Sequence, residues 1–447
     1  MAVILMVTLL LIGASIVVGG RHYQFLPFIL LCGPIRVSTD FGVGLNLSAV
    51  WMLCVIVFGC VVLANRLMLH RFELFEGLFL CFVLWCCIEV FRCDDLLMGA
   101  RVLLKFAFPL LVILLGHFVQ TPDFGYERTL KWLAVVCAVA VITTGGPTHV
   151  VLRPVADVGR LFFVSYAMFA DYCAVMACLL LVCWRVFRKP WYLALLALVA
   201  ISPVVFGIRT GILATAIGMS AFGIAVYRTR ALAVIVPVYI AVCLALFAVP
   251  HVRDYMFFNP VAAADAGEIM QRPQEIDIDN INTNGRFAIW GHALKALWEP
   301  HPLIGSGTGQ SQVVGYEEGF GGVRVIHSGY VRLLCDVGLI GLVLYVLSSV
   351  ACLLRAGHLF RWSPSPTARW CALAVLCTFP AVLTCMAFDN VFDYALAAGQ
   401  YPYAFAGMML AAHRKGPRRN DPRSRRQPVE CAPGAPSEAG SYALNRP

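Results

Sequence analysis

The sequence predicts an all-α, polytopic membrane protein, with about 12–13 transmembrane helices by the length rule, and three observations carry that prediction. Of the 447 residues, 60% are hydrophobic and only 13% charged, and the mean hydropathy is +0.80. A soluble domain carries about 25% charged residues, so there are too few charges here to coat a globule and lipid must cover much of the surface. Second, the runs at 2–19, 41–64, 101–119, 161–184, 231–249 and 329–353 are nearly free of charge, each close to the ~20 residues that cross a bilayer. Shorter or more interrupted runs lie at 23–36, 72–91, 130–146, 191–207, 210–227, 369–388 and 395–412. Third, the runs are continuous rather than alternating. In lipid only a helix or a closed barrel satisfies the backbone, and continuity selects the helix.

The elements follow in order. The first run lacks a basic leader and a small-residue cleavage site, so it reads as an anchor rather than a cleaved signal. The segment 23–36 reads as either a short span or a re-entrant piece. Lys and Arg then set the orientation. Arg66 and Arg71, Arg128 and Lys131, Arg185, Arg188 and Lys189, Arg228 and Arg230, and Arg355 and Arg361 mark one set of short loops as cytoplasmic, alternating with acidic or mixed loops. The chain divides into an N-terminal helical body (1–249), a loop domain (250–326), C-terminal helices (327–412) and a tail (413–447). The loop has five Lys and Arg against nine Asp and Glu, as suits a translocated segment. The tail has eight Lys and Arg against three Asp and Glu and is rich in Pro, Gly and Ser, which reads as disordered and cytoplasmic. The net charge of +9 is therefore mostly a topology signal, and no nucleic-acid partner is expected. The 18 cysteines lie almost entirely inside apolar runs and none lies in the loop, so they read as small hydrophobes in helix packing.

Within the loop, Phe287, Trp290, Leu294, Leu297 and Trp298 recur at helical spacing, opened by Thr283 or Asn284 and closed by Pro300. This predicts an amphipathic helix suited to a membrane surface. Pro302-Leu303-Ile304-Gly305-Ser306-Gly307-Thr308-Gly309 is too glycine-rich for a helix and must be a tight turn or a close backbone approach. The nucleotide P-loop pattern is absent.

Four sets of residues could carry chemistry. His327, at the junction of loop and membrane, either caps a helix or points into a crevice beside Val331, Leu334, Gly338 and Gly341, whose glycines would admit a neighbouring helix. Arg209 interrupts an apolar region where the positive-inside rule disfavours it, so it either snorkels or holds an anion. Arg286 opens the amphipathic helix, where a helix N-terminus already attracts anions; Arg153 and Arg160 sit on another external loop. Arg332 and Asp336, spaced i,i+4, are expected to neutralise each other. There is no Asp-x-Asp pattern on an external loop, so no metal or other cofactor is expected. Guanidinium groups would have to hold an anionic substrate, as they hold phosphate by paired hydrogen bonds.

The string from Asn284 to Gly341 resembles the conserved region of the O-antigen ligase and Wzy-type polymerase family. Gly285-Arg286 with Trp290, His301-Pro302-Leu303-Ile304-Gly305-Ser306-Gly307, His327-Ser328-Gly329-Tyr330-Val331 and Asp336-Val337-Gly338-Leu339-Ile340-Gly341 match its signature in order and spacing. Ser328 stands where the family usually has Asn, Asp336 where it has Glu, and Ile208 where Ser commonly precedes the arginine. The resemblance implies a GT-C-like, metal-independent, inverting glycosyltransferase of the bacterial inner membrane, with its site facing the periplasm. The donor would be an undecaprenyl-diphosphate-linked glycan and the acceptor a glycan or lipid A core, with other polysaccharide assembly proteins as partners. It further implies that Arg209, Arg286, Arg160 and Tyr330 contact donor or substrate, and that His327 is the base. Polymerase is favoured over ligase on the His-x-x-Tyr-x-Arg stretch. A lipid-linked sugar transporter or flippase is the reading from another class, with Asp171 as its midplane residue.

Overall fold

The computed structural model describes residues 2–20, 24–35, 47–64, 71–118, 126–144, 165–248, 286–317, 325–393 and 395–414, and all regular elements among them are helices. In chain order these are α1 (Ala2–Val18), α2 (Phe25–Cys32), α3 (Leu47–Leu63), α4 (Leu74–Glu89), α5 (Leu96–Phe118), α6 (Tyr126–Thr144), α7 (Tyr166–Phe187), α8 (Trp191–Val205), α9 (Arg209–Tyr227), α10 (Leu232–Ala248), α11 (Arg286–Ala293), α12 (Gln310–Glu317), α13 (Gly329–Trp362), α14 (Pro366–Phe388) and α15 (Gln400–Arg414). The expected loop residues 250–285 and the tail from 415 lie outside the described residues.

A helix stands over each predicted run, but among the described residues only six stretches are both long and apolar enough to cross a membrane. One of the six, Arg209–Ala241, takes in α9 and the start of α10, joined by a tight turn at Arg228–Ala231. The helices at Val7–Val18, Trp51–Leu63 and Trp191–Val205 are apolar but shorter. At eight residues, α2 extends only about 12 Å, which favours the re-entrant reading of 23–36.

The centre of the bundle is α7, whose apolar window is 89% buried, beside α14 at 67%. Lipid-facing helices bury less, so these two form the axis around which the site is built. They run antiparallel: the Cys178 thiol of α7 faces the Cys377 carbonyl of α14 at 3.5 Å, while Asp171, earlier on α7, lies against Cys385, later on α14. Small residues permit this closeness, and the cysteines act as small hydrophobes, as expected. Likewise α15 lies so close to α5 that a Cβ at Gly407 would fall on the Ile113 carbonyl.

The long helix α13 is broken at Gly338, which has φ +66° and ψ −168°. A break leaves backbone carbonyls before it and N–H groups after it without helical partners. The glycine-rich loop supplies both. Ser306 and Gly307 N–H groups donate to the carbonyls of Cys335 and Asp336 at 2.8 and 3.0 Å, and the N–H groups of Leu339 and Ile340 donate to those of Pro302 and Leu303, each at 3.0 Å. The Trp85 indole donates to the Val337 carbonyl at 3.0 Å. Glycine is required on both sides: a Cβ at Gly305 would lie 2.5 Å from Gly338 N, and one at Gly338 would fall on Gly305 N and Leu303 O. The close backbone approach expected of 302–309 is therefore made to the protein itself, and these N–H groups are committed to carbonyls rather than to a phosphate. Gly338 does not admit a neighbouring helix, as its spacing suggested; it admits this loop.

The predicted amphipathic helix forms as α11, continued by a wide turn at Leu294–Trp298. Its face of Ile289, Ala293 and Leu297 packs against Ile326, Val331 and Cys335 at the start of α13. The basic residues gather at the opposite end of the bundle. There Arg355 and Arg414 meet Glu73 at 3.1 and 3.8 Å, and Lys131 lies over the Phe187 ring.

Candidate functional site

The start of α13 and the end of α14 meet at one end of the bundle. Ser328 caps α13 by accepting from Val331 N–H, a local role that its short hydroxyl performs well. Asp389 closes α14, and its backbone carbonyl accepts from Gly329 N–H at 3.0 Å. That backbone clasp brings His327 to Asp389: the imidazole Nδ1 lies 3.6 Å from the carboxyl Oδ1. The imidazole is 39% exposed and the carboxyl 2%. A buried carboxylate behind an accessible imidazole is the arrangement that orients a ring whose other nitrogen faces a substrate. The same Oδ1 accepts from Asn390 N–H at 2.7 Å, which fixes its position.

Two further charged groups border the pair. Asp171 lies in the second turn of α7, 1% exposed, and neither carboxyl oxygen has a hydrogen-bond partner among the described residues. The Cys385 thiol lies against it, and Asp389 and Arg286 act on its charge. The midplane position imagined for Asp171 under a transporter reading is thus corrected: the residue stands near the His327 end. Arg286 is the first residue of α11, and α11 packs on the first turns of α13. Arg209 opens α9, whose Gly211 packs against Ala170, the neighbour of Asp171. The structure therefore brings His327, Arg286 and Arg209 to one end. Arg153 and Arg160 lie outside the described residues. The Tyr330 hydroxyl donates to the Leu383 carbonyl of α14 at 3.0 Å, which braces α13 on α14.

Deeper in lies a second polar cluster. The Arg332 Nε bonds Asp336 at 3.4 Å, as its spacing predicted, and its Nη1 bonds Asp393 at 3.2 Å. Lys105 of α5 pairs with Asp393, Asn390 Nδ2 donates to it at 2.7 Å, and Ser311 N–H donates to Asp336 at 2.9 Å. Arg332 also lies over the Phe106 ring, 5.5 Å from its centroid. Burial pushes the Asp393 carboxyl up, but the Lys105 ammonium and Arg332 guanidinium outweigh it and hold the group below the usual carboxylate range. Among the described residues, no three His, Cys, Asp or Glu side chains are grouped to hold a metal ion.

Residues 194–346 match the family model described as O-antigen ligase. That stretch, about a third of the chain, is similar to the O-antigen ligase family. No curated protein matches the chain at a significant level. The match supports a ligase- or polymerase-like role in surface polysaccharide assembly, as a glycosyltransferase-like membrane enzyme acting on a lipid-linked glycan. The matched stretch holds Arg209, Arg286, His327 and Tyr330. Asp171, Asp389, Lys105 and Asp393 lie outside it. Sequence reasoning missed Lys105, Asp389 and Asp393 and misplaced Asp171. The available signal was the polar group Asp389-Asn390-Val391-Phe392-Asp393 between two apolar runs, since ionisable residues bordering spans are seldom idle.

Proposed function

We propose that this chain transfers or polymerises glycan from an undecaprenyl-diphosphate carrier at the periplasmic face of the bacterial inner membrane, as the polymerase of a surface polysaccharide. The observation that carries the reading is the His327–Asp389 pair, open on the imidazole side, at the end of the bundle that also holds Arg286 and Arg209. An acceptor hydroxyl gives its proton to His327, whose ring Asp389 orients. The hydroxyl oxygen forms a bond to the anomeric carbon as the bond from that carbon to the diphosphate oxygen breaks. Arg286 and Arg209 stabilise the charge gathering on the departing lipid diphosphate. In-line attack inverts the anomeric centre, and the step needs no metal. A 3.6 Å separation is compatible with this role, because catalytic hydrogen bonds often tighten only when substrate binds.

The same machinery would serve a ligase that joins the finished glycan to lipid A core, because the donor chemistry is shared and only the acceptor differs. Deleting the gene and comparing lipid-linked and surface glycans by gel and mass spectrometry separates the two. Single repeats in place of long chains indicate the polymerase. Full-length chains stranded on the carrier indicate the ligase. A glycan unchanged in length and linkage overturns both and returns the transporter reading.

A further inference from the structure

The segment 286–298 carries two tryptophans, and the fold treats their indole N–H groups differently. An indole nitrogen is a donor only, and a buried tryptophan ordinarily finds an acceptor for it. Trp298 does so: its N–H donates to the Pro302 carbonyl at 3.0 Å. Trp85 on α4 does the same with the Val337 carbonyl at 3.0 Å. Trp290 on α11 does not. Its Nε1 is shut off from solvent and has no hydrogen-bond partner among the described residues.

Loose packing does not account for this. Ile289, Ala293 and Leu297 seat α11 against Ile326 and Cys335, and the Trp290 ring packs on that same cluster. The Cys335 thiol donates to the Ala293 carbonyl at 3.5 Å, and the Ser306 hydroxyl donates to the Leu297 carbonyl just beyond. The Phe287 ring meets the indole edge to face, with centroids 5.4 Å apart. The backbone and ring of Trp290 are therefore fixed, and so is the direction of its N–H. A fixed, solvent-excluded donor without an acceptor is costly, and a ligand that brings the acceptor removes that cost.

The position of Trp290 points to the ligand. It stands four residues after Arg286, one helical turn along the same face of α11. Ile326, in the cluster on which it packs, adjoins His327. A guanidinium and a donor-only N–H one turn apart suit an anion whose oxygens all accept, as those of a diphosphate do. A sugar hydroxyl would bring a proton of its own to place, and the residues of this cluster are apolar.

We propose that Trp290 is a donor-binding residue: its indole N–H donates to an oxygen of the lipid diphosphate, one helical turn from Arg286. This deepens the glycosyltransferase reading given above and rests on it. Binding then goes with a small local opening beside α11, and the water-poor setting strengthens the charge-assisted bond that forms.

The test uses the full-length protein in detergent or nanodiscs with a polyprenyl-diphosphate-linked glycan as donor and glycan-free polyprenyl diphosphate as a competing probe. Wild type is compared with Trp290→Phe, which keeps an aromatic ring and removes the N–H, and with Trp298→Phe. A hydrogen bond to a charged group corresponds to roughly tenfold or more in affinity. Trp290→Phe should therefore raise both the donor KM and the dissociation constant of the probe by about tenfold, with the acceptor KM unchanged. Trp298→Phe should lower the melting temperature and leave both constants close to wild type. Unchanged constants in Trp290→Phe overturn the proposal. A raised donor KM with an unchanged probe constant also overturns it, because the contact would then be to sugar. An equal rise in Trp298→Phe would trace the loss to the seating of α11 and overturn the assignment to the N–H. Should Trp290→Phe not accumulate in the membrane, a benzothiophene in place of the Trp290 indole, of the same size but without the N–H, decides by the same two constants. Wild-type protein that binds the probe but transfers no glycan would instead sink the glycosyltransferase reading, an outcome distinct from any of these.

Discussion

Two polar clusters lie within a few residues of each other along the chain and are built on opposite principles. In the deep one, Arg332 and Lys105 face Asp336 and Asp393, two cations against two anions, and Ser311 N–H and Asn390 add hydrogen bonds. In the shallow one, His327 stands 3.6 Å from Asp389, more open than a normal hydrogen bond, and Asp171 has the Cys385 thiol against it rather than a paired cation among the described residues. The difference teaches which cluster is scaffold and which is site. Charges buried for structure come paired, because an unpaired one costs several kcal/mol. Charges kept for work are held with capacity to spare. By that measure the deep cluster, in which each charge meets an opposite one although Arg332 Nη2 and Asn390 Oδ1 lack partners among the described residues, clamps α5, α13 and the turn after α14 together, and the shallow one is where the proposed transfer would take place.

The sharpest way to break this comparison is His327→Ala. A positioned general base contributes about 10²–10⁴-fold, so glycan transfer should fall by at least about a hundredfold, with the protein still inserted and monodisperse. Transfer near the wild-type rate would remove the base assignment and return His327 to the capping role its position also allowed. The deep cluster should respond in the opposite currency. Arg332→Met leaves Asp336 and part of Asp393 without a cation, and breaking one side of a buried pair costs on the order of 3 kcal/mol. The expected result is a lowered melting temperature and a smaller folded fraction, with donor KM and kcat per folded molecule close to wild type. A variant that folds normally but has lost turnover would move the deep cluster into the site.

How far the sequence led follows the same division. The helices were legible because lipid demands continuous apolar runs, and Arg286, Arg209 and His327 stood out because charge in such surroundings is conspicuous. The i,i+4 pair of Arg332 and Asp336 was legible because both members sit on one helix. Asp393 and Lys105 were not, since the pairings run from Arg332 to Asp393 across 61 residues and from Lys105 to Asp393 across 288, and depend on how α5 and α14 pack. Asp389 was hidden for a related reason: nothing local shows that the end of α14 meets the start of α13, which is settled by the backbone bond from Gly329 to Asp389. Gly338 was read as a packing position because helical periodicity assumes an unbroken helix, and the positive φ that ends it is a tertiary consequence of the loop at 302–309.

That junction gives the next prediction. Gly338→Ala must place a Cβ at φ +66° against the Gly305 and Leu303 backbone. Neither neighbour is a flexible side chain, so the loss should reach about 2 kcal/mol or more, read as a lower melting temperature. Because α11 and the loop hang on this break, activity should fall with stability; a variant of wild-type stability would mean that the loop is not keyed into α13. Smaller still is Asp389→Asn, expected to lower kcat by about tenfold or more through loss of ring orientation, while the helix cap, which uses backbone atoms, survives.

The smallest expected effect serves as the control for the whole comparison. At the far end of the bundle, Arg414 reaches Glu73 at 3.8 Å with its side chain 40% exposed, while Arg355 holds the same carboxylate at 3.1 Å. An exposed ion pair is worth about 0–1 kcal/mol, and Glu73 keeps its second partner. Arg414→Ala should therefore leave melting temperature and transfer close to wild type. If it instead cost as much as Arg332→Met, completeness of pairing could not be what separates scaffold from surface. The argument that reads the loosely held charges around His327 as a site would then lose its standard of comparison.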